Sequence, residues 1–80
     1  MMSNDLLREI AIHAETVTDI NHCYLFARII RETNAPEVPE VAAYGMTFPR
    51  AIKIYREAGH EQAALTYEAL YVAIERIAAR

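Results

Sequence analysis

Residues 60–80 read HEQAALTYEALYVAIERIAAR, and this stretch is apolar on two sides of a helix. Ala63, Tyr67, Leu70, Ala73, Ile74 and Ile77 recur at three- and four-residue spacing and define one stripe. Leu65, Ala69 and Val72 define a second, sparser line. A helix on the rim of a small domain needs only one apolar stripe. Two stripes predict a central helix, or a helix that serves its own core with one side and a partner with the other.

Working back from this segment, Gly59 ends a preceding helix and leaves almost no connection, so the last two helices pack antiparallel. Thr47 caps that preceding helix, and Pro49 is tolerated in its first turn. Further back, Asn34 to Val38 is the one linker-like stretch, too short to separate two domains. Pro39 opens a short helix through Tyr44, with Gly45 as its left-handed stop. A helix over 19–33 carries the stripe Cys23, Phe26, Ala27 and Ile30, with Ile29 and His22 on its flank. Tyr24, Arg28, Arg31 and Glu32 face outward, and Asn34 stops the helix ahead of Pro36.

The first helix starts at Ser3 or Asn4, with Asp5 placed to meet the helix dipole. Leu6, Leu7, Ile10, Ala14 and Val17 form its buried face, and Ile12 falls on the other side. Thr16, Val17, Thr18 and Asp19 weaken the helix through lost side-chain freedom and a new cap, which predicts a break with reversal. The rival is one continuous helix to Thr33. No run alternates as a strand should. The expected architecture is all-α: a single domain over 1–80, with four main helices at about 4–16, 19–33, 48–58 and 60–79 and a short helix near 39–44.

Eighty residues allow one domain, and a chain of this size buries only about 60% of its unfolded surface. The single cysteine, Cys23, offers no internal disulfide. The 54% hydrophobic content must therefore form a good core or draw stability from a partner, and oligomerisation is a common remedy. Met1 to Asp5 lack the basic start of a signal peptide, and no stretch approaches the ~20 apolar residues of a membrane span. A cytoplasmic protein with no membrane partner is expected. The net charge of −3 is concentrated in residues 1–40, while residues 41–80 are slightly basic. Such a balance argues against broad nucleic-acid affinity but leaves room for a local basic face.

That local face lies in Val41-Ala42-Ala43-Tyr44-Gly45-Met46-Thr47-Phe48-Pro49-Arg50-Ala51-Ile52-Lys53-Ile54-Tyr55, which resembles a helix-turn-helix motif. The resemblance implies that Val41, Tyr44, Met46, Ala51 and Ile54 fill the angle between two helices. It also implies that Thr47, Phe48, Arg50 and Lys53 face a DNA groove, with Arg56 available to a phosphate. Against this stands the simpler reading of Arg50, Lys53, Arg56 and Glu57 as a solvated helix face. Ala51 to Gly59 with the alanine-rich helix after it also resembles a tetratricopeptide-type helix pair. That likeness implies close helix packing and no ligand, since such repeats need about three copies to close a core.

Metal and catalytic readings are not favoured. His22 and Cys23 are adjacent and point about 100° apart on a helix, so they do not share an ion, and no second cysteine exists. Glu61, Glu68 and Glu75 recur every seven residues as a surface stripe rather than as an acid/base pair. No glycine loop cradles a phosphate, and no cofactor is expected. Five tyrosines without a tryptophan point to contact area at a rim, with Tyr24 and Tyr71 as the exposed ones.

The leading expectation is a non-catalytic protein–protein interaction module: a regulator, subunit or inhibitor of a larger complex that self-associates as a homodimer through its last helix. The interface residues are Leu65, Ala69, Tyr71 and Val72, with Glu68 on the rim. The alternative is a helix-turn-helix-like DNA-binding regulator that uses Thr47, Arg50, Lys53 and Arg56.

Overall fold

A computed structural model describes residues 3–15, 19–43 and 46–79, the side chains of 13–15, 19–23 and 42 excepted. It contains α1 (Asn4–Glu15), α2 (Asp19–Thr33), a 3₁₀ helix (Pro39–Ala42), α3 (Phe48–Glu57) and α4 (Glu61–Ala78). The fold is all-α. The Cα radius of gyration is 11.4 Å, close to the ~11.6 Å of a well-packed chain of this length.

Each helix boundary has a local cause. Ser3 caps α1, its hydroxyl accepting from the Leu6 N–H at 3.2 Å. Asn34 ends α2 at φ 54°, and the Ala35 N–H closes back onto the Ile30 carbonyl at 3.2 Å. Thr47 caps α3 by accepting from the Arg50 N–H, with Pro49 in the first turn where its missing N–H costs nothing. Gly59, at φ 84°, ends α3 in a complete Schellman turn. Its N–H bonds the Arg56 carbonyl at 3.1 Å, and the His60 N–H bonds the Tyr55 carbonyl at 2.9 Å. The His60 ring packs edge-on to Tyr55, the side-chain contact that accompanies this turn.

α1 and α2 are separate and antiparallel. Arg28 of α2 pairs with Glu9 of α1, and the Ser3 N–H approaches a Glu32 oxygen at 3.5 Å. In one continuous helix, residues 9 and 28 would stand about 28 Å apart, which excludes the rival architecture. The expected break at 16–18 and the left-handed Gly45 lie outside the described residues, as do Tyr44, Val17 and the side chains of Ala14, His22 and Cys23.

Three expectations need correction. The segment expected as a helix over 39–44 is a four-residue 3₁₀ turn, Pro39–Ala42, that gives way to extended backbone at Ala43; short 3₁₀ pieces of this kind are common as connectors. In α2 the buried set is Leu25, Phe26 and Ile29, while Ala27 is exposed. The stripe is rotated because α2 is covered by α1 on one side and the 3₁₀ segment on the other. Tyr71 is half-buried rather than exposed.

The core lies where α3 and α4 pack on each other and α1 closes against α4. Buried Ala63 and Ala64 permit the close approach of α3 to the start of α4. The α2 backbone does not come near α3 or α4, and Phe26 spans the gap. Its ring meets Phe48 edge-on at 5.0 Å and Tyr67 at 5.8 Å, and Tyr55 lies 5.0 Å from Tyr67. Aromatic rings favour these tilted contacts because the edge of one meets the electron-rich face of another.

Candidate interaction surface

The face of α4 that looks away from this cluster carries the second apolar line. Leu65 is 46% exposed, Val72 is 49% exposed, and Ala69 between them is exposed. Ala63, Tyr67 and Ile74, on the opposite face, are buried. Leu65, Ala69, Val72 and Arg76 follow one another at steps of four, three and four, the spacing of a helix–helix seam. The small side chain of Ala69 at its middle allows a second helix to approach closely.

Glu61, Glu68 and Glu75 edge this line, and two of the three are already engaged. Arg56, from the last turn of α3, reaches across to Glu68 and to Glu61, the latter at 3.2 Å. These bonds, to Glu68 first and Glu61 next, push the Arg56 pKa above its ordinary value. The glutamate stripe therefore has much of its charge balanced within the chain. Arg56 in turn is not free for a phosphate contact, as the helix-turn-helix likeness would require.

Tyr71 does not join the exposed line. Its ring stacks on Phe48 at 6.0 Å with an interplanar angle of 18°, placing it at the edge of the core. Of the two tyrosines expected outside, only Tyr24 is there, 57% exposed with the Arg28 guanidinium 5.8 Å from its ring centre.

The other predicted patch is split. Thr47, Arg50 and Lys53 are exposed together and line a cavity of about 770 Å³ beside the 3₁₀ segment. Phe48, expected to face a DNA groove, is instead buried among Phe26, Tyr67 and Tyr71. Val41, Met46 and Ala51 are buried as the motif requires. Glu40 and Glu57 line the same cavity as the cations, and Lys53 pairs with Glu57 at 3.9 Å. Opposed charges in one groove weaken its attraction for phosphates.

Two buried phenols sit behind the α4 face. The Tyr55 hydroxyl donates to the Pro36 carbonyl at 2.9 Å and so pins the linker onto α3. The Tyr67 hydroxyl is buried with no hydrogen-bond partner of good geometry among the described residues. Burial, with the Tyr55 hydroxyl adding to it, pushes the Tyr67 pKa far above the ordinary tyrosine value. Burial likewise raises that of Tyr55, against a lowering contribution from Tyr67.

Among the described residues, no group of three His, Cys, Asp or Glu side chains is placed to hold a metal ion. No helix among them is long and apolar enough to cross a membrane. No protein family, no curated protein and no solved structure matches the chain.

Proposed function

We propose that this protein is a non-catalytic protein–protein interaction module, acting as a regulator, subunit or inhibitor, and that it pairs with a second copy through the outer face of α4. The observation that carries this reading is the exposed line Leu65, Ala69 and Val72 on a helix whose opposite face buries Ala63, Tyr67 and Ile74 in the core. A second copy is favoured over a strongly basic partner because Arg56 already balances Glu61 and Glu68. Two such edges meet with little repulsion. Three apolar side chains fall well short of the ~800 Å² per partner of a stable complex, so the dimer is weak.

Sedimentation equilibrium tests this. The 9.1 kDa chain is expected to gain apparent mass as concentration rises through the micromolar range. Leu65→Glu with Val72→Glu is expected to hold the monomer mass while keeping the helical circular dichroism of the parent. Loss of fold in that variant, or a parent that stays monomeric at several hundred micromolar, would end the self-association reading.

The DNA-binding alternative rests on the shared exposure of Thr47, Arg50 and Lys53. It expects saturable, salt-sensitive binding to a mixed-sequence duplex that Lys53→Glu abolishes. Affinity indifferent to salt would remove it.

A further inference from the structure

A second cavity, about 520 Å³, lies between the start of α1 and the end of α4. Asn4, Leu7 and Arg8 line it from α1, and Ala73, Arg76 and Ile77 line it from α4. Each helix thus contributes the same i, i+3, i+4 set, as two antiparallel helices do where they lie side by side. Leu7, Ala73 and Ile77 are half-buried and supply an apolar floor, while Arg8 and Arg76 are exposed at its rim.

The charge of this cleft differs from that of the cavity beside the 3₁₀ segment. Among the described residues no carboxylate lines it, whereas Glu40 and Glu57 accompany Arg50 and Lys53 in the other cavity. Arg28, Lys53 and Arg56 each have a glutamate partner; among the described residues Arg8, Arg31, Arg50 and Arg76 have none, and of these Arg8 and Arg76 share one cleft. An acidic protein has here gathered two cations with no counter-charge among the described residues. Guanidinium groups match phosphate and carboxylate oxygens with paired hydrogen bonds. The volume lies within the ~300–1,000 Å³ of small-molecule sites.

We propose that this cleft binds a small amphipathic anion, its phosphate or carboxylate head between Arg8 and Arg76 and a short apolar tail over Leu7, Ala73 and Ile77. The cleft shares Arg76 with the end of the outer line of α4, but none of Leu65, Ala69 and Val72 lines it, and Arg8, on α1, tests it independently of self-association.

Amide chemical shifts followed during titration test it, with hexyl phosphate, hexanoate, inorganic phosphate and hexan-1-ol as probes. One of the two hexyl anions is expected to give saturable shifts confined to residues 4–8 and 73–77. It should bind at least about tenfold more tightly than inorganic phosphate or hexanol. Arg8→Gln and Arg76→Gln should each weaken it about tenfold or more without changing the circular dichroism. Arg31→Gln, an exposed arginine elsewhere, should leave it unchanged. Equal binding of hexanol, equal binding in all three variants, shifts centred on Arg50 and Lys53, or no saturation by either hexyl anion would overturn the proposal. Better binding of hexyl phosphate than hexanoate would assign a phosphate head, and the reverse a carboxylate.

Discussion

Both faces of α4 carry apolar side chains, and they have opposite fates. On one face Tyr67 and Ile74 are wholly enclosed by α1, α3 and the Phe26 ring. On the other, Leu65 and Val72 keep nearly half their surface in water. The hydrophobic effect acts on both alike, at about 25 cal/mol per Å² of apolar surface removed from water. What differs is the supply of covering elements. The described helices enclose one face of α4 and leave the other in water.

The contrast makes its largest prediction at Ile74. Ile74→Ala opens a cavity on the enclosed face and should lower stability by about 2–5 kcal/mol in urea unfolding. Leaving the chain folded with little loss would mean that this face is not the core. Gly59→Ala should come next, at about 1–2 kcal/mol, because φ 84° is strained for any residue with a Cβ. Nothing lies within 4 Å of the added carbon, so the loss is backbone strain alone, and Gly59→Asn should recover part of it.

The two phenols separate hydrogen bonding from burial. Tyr55→Phe should lose about 1 kcal/mol, because the Pro36 carbonyl loses its donor. Tyr67→Phe removes a buried hydroxyl that lacks a well-formed bond, and should be neutral or stabilising by up to about 1 kcal/mol. The pH dependence follows from the same burial. Tyr67 stays protonated in the folded chain above the ordinary tyrosine pKa near 10, while the unfolded chain gives its proton up. The unfolded state then binds fewer protons, so stability falls as pH rises past about 10. Tyr67→Phe should flatten that decline in unfolding curves taken from pH 9 to 11.

The smallest effect belongs to the outer face. Leu65→Ala should change the stability of the isolated chain by no more than about 0.5 kcal/mol. Its consequence should appear instead in the concentration dependence of the sedimentation mass.

Much of the fold was legible in local chemistry. Ser3, Thr47, Asn34 and Gly59 mark four helix ends, and each acts within one turn of its own position. The outward line of α4 was equally legible, since the positions of Leu65, Ala69 and Val72 on a helix depend only on spacing. The α2 stripe was misread at Ala27 because α2 touches α1 and the 3₁₀ segment from different directions, and no periodicity within α2 reports that. Tyr71 was misplaced for a related reason: its burial depends on Phe48, a residue of another helix.

The amino-acid sequence by itself thus determined that the chain is helical, where its main helices start and stop, and that α4 has two apolar faces. Helix formation, capping and periodicity are properties of neighbours along the chain. Only the tertiary structure decided that Arg56 ties Glu61 and Glu68, that Phe48 turns inward, and that Arg8 and Arg76 share a cleft that no described carboxylate lines. Each of those outcomes joins residues from different helices, so it exists only once α1 and α3 have taken their places against α4.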